Sequence, residues 1–215
     1  MVDYKNLEKQ IQTLTKEENH YLPTLSNAVS LLMHALPGVN WIGVYLADDK
    51  GLFLGPFQGK PCLPRLPAGK GVCGVAMKKN DSVYVPNVHD HADYVSHDPT
   101  TDSEFVIPLR FNKKVIGVFI IDSPIINRFS VSDRDDLRRF VLAVERSADF
   151  SDLLKEDTVA PAAVTPPLKS HSMPFELWLY AIKGLAQTYE MVEPIYSQLS
   201  EQEKKALRDE YEKTD

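Results

Sequence analysis

The residues able to do chemistry cluster between positions 60 and 122. Cys73 lies in Gly69-Lys70-Gly71-Val72-Cys73-Gly74, a glycine-rich turn that leads into a helix. A thiol near a helix N-terminus has its thiolate favoured by the helix dipole, which makes it a candidate nucleophile. The same setting also suits a small buried residue in a tight turn, the ordinary fate of a free cysteine. Cys62, in Gly59-Lys60-Pro61-Cys62-Leu63-Pro64, lies 11 positions earlier, and a disulfide with Cys73 requires that loop to fold back. His89, His91 and His97 share one loop with Asp90, Asp93 and Asp98. These are metal-ligand types, but ligands spaced two apart need an extended backbone to converge, and the pattern reads as a solvated polar loop with no metal. Glu104 and Asp122 each fall at a strand end, where a carboxylate can hold an ammonium group or sit as an edge charge. Gly69-Lys70-Gly71 lacks the length and the Lys-Ser/Thr of a phosphate-binding loop, and neither a serine-nucleophile motif nor a dinucleotide fingerprint occurs.

These residues need a scaffold. Leu7, Ile11 and Leu14 repeat at helical spacing, and Thr15-x-x-Glu18 has the form of a capping box opening a second helix. That helix carries Leu25, Ala28, Val29, Leu32, Met33 and Leu36, has Pro23 in its first turns and ends at Pro37-Gly38. Residues 41–46 and 52–55 read as strands joined at Asp48-Asp49-Lys50-Gly51, a hairpin signal. A Gly/Pro-rich loop from Gln58 to Gly71 leads to a short helix at 72–79, then a strand at 82–86 and the polar loop 89–103. Residues 104–111 and 115–122 form a second hairpin across Asn112-Lys113-Lys114. Ser132-x-x-Asp135 opens a long helix running to about Lys155, with Leu137, Phe140, Val141, Val144 and Ala148 on one face.

Residues 157–172 are a Pro/Ala-rich linker, and 173–215 a helical extension. In the extension, 174–189 is an apolar helix that must pack on the main domain or on another chain, Pro194 breaks it, and Ser200-x-x-Glu203 caps a final charged helix. The order of elements over 1–156 gives an α+β fold: a central antiparallel sheet flanked by helices.

At 215 residues, 43% hydrophobic and 25% charged, the chain can bury a core. A net charge of −6 argues against binding nucleic-acid phosphates through a basic face. Neither an apolar leader nor a membrane-spanning run is visible, and two cysteines are too few for a disulfide scaffold. The expectation is a cytoplasmic protein.

Six segments occur in order: Asn40-Trp41-Ile42-Gly43-Val44-Tyr45, Gly55-Pro56-Phe57-Gln58-Gly59-Lys60, Gly69 to Gly74, Ser103-Glu104-Phe105-Val106-Ile107-Pro108, Gly117 to Pro124, and Asn127-Arg128-Phe129. Together they resemble the free methionine-(R)-sulfoxide reductases, a branch of the GAF domains, over about residues 15–150. The resemblance implies a GAF-like fold, a pocket for an amino-acid-like small molecule, a homodimer and no cofactor. It also implies a mechanism in which a cysteine thiolate attacks the sulfoxide sulfur, a second cysteine resolves the sulfenic acid to a disulfide, and thioredoxin reduces it.

Trp41, Tyr45, Glu104 and Asp122 match positions that line the ligand site in that family. The attacking cysteine's position is taken by His97, and Ile120 stands where a carboxylate is usual. The family's first cysteine falls at Leu63, one residue from Cys62, while Cys73 keeps its place. An imidazole forms neither a sulfenic acid nor a disulfide. The resemblance therefore implies a small-molecule-binding or regulatory protein with lost or reduced reductase activity. The alternatives are a reductase working through Cys73 with Cys62 as resolver and thioredoxin as partner, and an assembly protein built around the 174–189 helix.

Overall fold

A computed structural model of the chain describes residues 2–67, 69–91, 94–95, 98–154, 175, 179, 183 and 192–213. Helix α1, Tyr4–Leu14, starts where the Asp3 side chain accepts a hydrogen bond from the Asn6 N–H. It buries Tyr4, Leu7 and Ile11, whereas Leu14, expected on the same face, is half exposed. Thr15 ends this helix instead of opening the next: its Oγ1 donates to the Ile11 carbonyl at 2.9 Å. Helix α2, Tyr21–Ala35, is capped by His20, whose Nδ1 accepts from the Leu22 N–H, and Glu18 accepts from the His20 N–H. The capping-box spacing at Thr15 is thus met by a C-cap, because the hydroxyl can satisfy a carbonyl of its own last turn. Pro23 sits in the first turn of α2, where its missing N–H has no intrahelical partner to lose.

Strands β1, Trp41–Asp48, and β2, Gly51–Gln58, pair across the two-residue turn Asp49-Lys50, with Asp48 opposite Gly51. Inside the Gly/Pro-rich loop lies a two-residue strand, β3 (Arg65–Leu66), which the sequence pattern does not show. It pairs with β2 at Leu52 and Phe53, and two hydrogen bonds of the Arg65 guanidinium to Asp48 at the end of β1, at 2.8 and 2.9 Å, tie it to the hairpin. Helix α3, Gly71–Lys79, and the short strand β4, Val83–Val85, follow. Strands β5, Ser103–Phe111, and β6, Lys114–Ser123, meet at Asn112-Lys113, whose φ values of 50° and 66° are those of a hairpin turn compatible with strand twist. The antiparallel sheet runs β3-β2-β1-β6-β5-β4.

Helix α4, Val131–Ser147, has its N-cap at Ser130, two residues before the expected Ser132, with Ser130 and Asp133 forming a reciprocal capping box. It also stops short of Lys155. Ala148 is extended, Asp149 bridges in parallel to His20, and Ser151–Leu154 form a single 3-10 turn. The Asp149 N–H donates to the Asn19 carbonyl at 2.7 Å, so the pull of the α2 entrance ends the helix before its propensity does.

Alternation along the strands sorts the sheet into two faces. Ile42, Val44, Leu46, Phe105, Ile107, Leu109, Phe119 and Ile121 pack with α1, α2 and α4. Burying each such side chain contributes roughly 1.5–3 kcal/mol, so this is the main stabilising layer. The opposite face, with Trp41, Tyr45, Val106, Val118 and Ile120, is covered by α3 and by the loops carrying Cys62 and Val88.

In the extension, the final helix Glu201–Tyr211 has the expected capping box of Ser200 and Glu203. Pro194 lies within a helix, Val192–Ser197, and does not interrupt it there. The linker and most of the expected 174–189 helix lie outside the described residues. Phe175 and Leu179 are helical, and Leu179 is buried.

Candidate functional site

The sheet register brings the expected side chains onto one face, in three successive rows. Trp41 pairs with Asp122, and Asp122 with Glu104, so an indole and two carboxylates sit side by side across β1, β6 and β5. In the next row of the same face, Gly43, Ile120 and Val106 are neighbours, and Tyr45 pairs with Val118 one row further. Glu104 and Asp122 are 1% and 0% exposed, so they are interior groups and not sheet-edge charges. Asp122 Oδ2 accepts from the Thr101 hydroxyl at 3.4 Å. Ile120 is fully buried beside them and makes the second row apolar.

Glycine at 43 is required for this arrangement. A Cβ there would collide with Trp41 Cη2 and come within 2.6 Å of Phe57 Cβ. Trp41 lies flat over Phe57, with centroids 5.7 Å apart, and 6.4 Å from the Tyr45 ring. Its Nε1–H donates to the Lys60 carbonyl at 3.1 Å. The Tyr45 hydroxyl donates to the Leu63 carbonyl at 2.5 Å and lies 3.4 Å from Cys62 Sγ. The two aromatic side chains thus hold the Gly59–Leu63 loop against the sheet from either side of Cys62.

Both thiols are free and buried, at 5% exposure for Cys62 and 4% for Cys73. Cys73 occupies the first turn of α3, as its sequence setting implies, but the expected stabilisation of its thiolate is not found. Burial pushes the Cys73 thiol well above its ordinary value, and the negative charges of Glu104 and Asp122 push it the same way. A backbone hydrogen bond opposes these effects without overcoming them. Burial likewise pushes the Cys62 thiol up to about 12, against a lowering hydrogen bond from Tyr45. The Tyr45 hydroxyl is itself pushed far above its usual value by burial and then by Cys62. The site is therefore an interior where burial holds both thiols and the Tyr45 hydroxyl in their protonated forms.

Position 97 lies outside the described residues, as do Asp93 and residue 96. His89, grouped above with the metal-ligand types, is instead paired with Asp102 at 2.8 Å. Among the described residues no group of three or more His, Cys, Asp or Glu side chains is placed to hold a metal ion. Asp98 of the polar loop also belongs to the site, with three residues that single positions in the sequence do not mark: Asn40, Lys60 and Thr101. Asn40 Nδ2 donates to the hydroxyls of Thr100 and Thr101, at 3.1 and 3.0 Å. Lys60 Nζ lies 3.4 Å from Asp98 Oδ1. They escape a sequence reading because their partners are far along the chain and their types are ordinary loop residues.

The six-stranded antiparallel sheet with helices packed on both faces defines an α+β fold, and comparison with known proteins gives its family. The family model described as GAF domain matches residues 22–147. The chain is 40% identical to protein YtsP of Bacillus subtilis over 147 residues, covering 67% of this chain and 90% of that one. It is 38% identical to the free methionine-R-sulfoxide reductase of Escherichia coli over 152 residues, covering 71% and 92%. The reduced form of fRMsr of Staphylococcus aureus superposes with a TM-score of 0.66 at 38% identity, covering 69% of this chain and 97% of that one. The chain belongs to the GAF domain family, in its free methionine-R-sulfoxide reductase branch. Among the described residues no helix is long and apolar enough to cross a membrane.

Proposed function

We propose that this protein binds an amino-acid-like small molecule in its GAF site as a binding or regulatory module, with reductase activity lost or strongly reduced. The state of the cysteines carries the reading. The chain has two, both are buried, and both thiols are held protonated. The position that the family resemblance assigns to the attacking cysteine holds His97. Sulfoxide reduction needs a thiolate to attack sulfur, and neither remaining thiol has an environment that favours one. Trp41, Tyr45, Glu104 and Asp122 remain on one buried face, the equipment for holding an ammonium group beside an aromatic wall. Relatives crystallised with substrate include fRMsr of Staphylococcus aureus, with a TM-score of 0.65 at 38% identity.

A second reading has one observation in its favour. Cys62 contacts the Tyr45 hydroxyl, and Cys62, Cys73 and Tyr45 belong to one buried cluster. Cys73 would attack the sulfoxide sulfur, releasing methionine and leaving a sulfenic acid. Cys62 would condense with that acid to a disulfide, releasing water, and thioredoxin would reduce the disulfide.

Thioredoxin-coupled NADPH oxidation with free methionine-(R)-sulfoxide separates the two readings. The binding reading expects no turnover in the wild type and a gain on His97→Cys. Robust wild-type turnover that disappears in Cys73→Ser would overturn it. The resemblance also implies a homodimer, which light scattering tests against the chain mass of 24.3 kDa.

A further inference from the structure

The Gly59–Leu63 loop is fastened to the rest of the site at three points. Two are the carbonyl contacts already described, Trp41 to Lys60 and Tyr45 to Leu63. The third is ionic. The Asp98 side chain is 3% exposed, the Lys60 side chain 28%, and their charged atoms are 3.4 Å apart. A carboxylate this deeply buried requires a counter-charge and donors. The Thr100 N–H and hydroxyl supply the donors, at 2.8 and 2.7 Å, and Lys60 supplies the charge. At Gly59 the backbone passes directly against the indole: φ is 128°, and a Cβ would lie 2.5 Å from Trp41 Cδ1 and 2.8 Å from the Asn40 carbonyl oxygen.

The arrangement reaches the ligand carboxylates. Asp98 is bonded to Thr100, Thr100 accepts from Asn40, Asn40 also donates to Thr101, and Thr101 donates to Asp122. Cys62 lies in the middle of the fastened loop, 5% exposed. Of the two thiols it is the one carried by a loop and not by a helix.

We propose that the Lys60–Asp98 ion pair is a latch that keeps the Gly59–Leu63 loop closed over the Trp41–Tyr45 wall, and that Cys62 is the thiol this latch shields. Opening the latch exposes Cys62 and frees the mouth of the site. Cys73, held on α3, stays covered. The connection through Thr100, Asn40 and Thr101 lets the occupancy of Asp122 bias the closed state.

The test uses the full chain and two charge-removing substitutions. Lys60→Met keeps the aliphatic stem. Asp98→Asn keeps an acceptor for the Thr100 N–H. Alkylation by iodoacetamide is followed separately at each cysteine by peptide mass spectrometry, alongside amide hydrogen exchange over 59–64. The latch expects Cys62 labelling to rise about tenfold in both variants, as for loss of a charge-assisted contact. Labelling of Cys73 should stay unchanged, and exchange should quicken in the loop. Labelling of Cys62 within twofold of wild type in both variants overturns the proposal. So does a parallel rise at both cysteines, which would mean general unfolding. L-methionine and free methionine-(R)-sulfoxide, added to the wild type, read the ligand proposal separately. If neither slows Cys62 labelling, the amino-acid reading fails while the latch is judged on the variants alone.

Discussion

Replacing Tyr45 by phenylalanine isolates one atom of the site. The ring stays against Trp41, 6.4 Å between centroids, so almost no packing is lost. What disappears is the hydroxyl that donates to the Leu63 carbonyl at 2.5 Å and touches Cys62 Sγ. That part-buried carbonyl, next in the chain to the buried Cys62, then loses its donor. Leaving a buried acceptor unsatisfied costs about 1–3 kcal/mol. For a protein of this size that corresponds to a fall in Tm of roughly 3–9 °C. Chemical denaturation followed by circular dichroism gives the free energy, and an unchanged slope against denaturant shows that the unfolding reaction is the same. Tyr45→Leu, which also removes the ring, should cost about 2 kcal/mol more through the cavity it leaves. If Tyr45→Phe matches the wild type within about 0.3 kcal/mol, the carbonyl is satisfied by water, the loop is not closed on the sheet, and the account of this wall is wrong.

Two further outcomes follow from charge states. Burial works to raise Asp133, but hydrogen bonds from Ser130 and Tyr4 and the Arg128 charge outweigh it and hold the carboxyl below its usual value. A lowered folded pKa means that the stabilisation is present above the unfolded value and is lost as pH falls through the folded one. Asp133→Asn should therefore cost about 0.5–1 kcal/mol at pH 7, as for a capping interaction, with the gap closing below about pH 4 in acid titrations of stability. An equal gap at pH 3 and pH 7 would refute the linkage. The second outcome concerns Cys62, whose thiol is pushed up to about 12. At pH 8 its thiolate fraction is about 10⁻⁴, against about a quarter for an unperturbed thiol, so native alkylation should run at least ~1000-fold slower than in denaturant. Comparable native and denatured rates would show that the thiol is not held as described.

Periodicity and turn chemistry made the main elements of the first 150 residues legible. The hairpin at Asp49-Lys50, the turn at Asn112-Lys113 and the apolar face of α4 follow from local residue types. The errors lie at ends. Thr15 caps the helix behind it, α4 starts at Ser130's cap and stops at Ser147, and Arg65–Leu66 becomes a strand by pairing with Leu52 and Phe53, with its guanidinium on Asp48. In each case the deciding partner is a carbonyl, an N–H or a carboxylate that local spacing cannot rank.

The same division runs through the site. The sequence by itself, through its resemblance to the free methionine-(R)-sulfoxide reductases, implied that Trp41, Tyr45, Glu104 and Asp122 belong to one site, and it shows that only two thiols are present. It also placed Cys73 at the start of a helix, which alone argues for a thiolate. Only the tertiary structure decided the sign of that thiol's environment. Register sets Glu104 beside Asp122 near Cys73, and burial of all three reverses what the helix end would favour. The fastening of the Gly59–Leu63 loop was likewise decided in three dimensions. Lys60 and Asp98 are 38 positions apart in the chain and become partners only when two loops close on one face of the sheet.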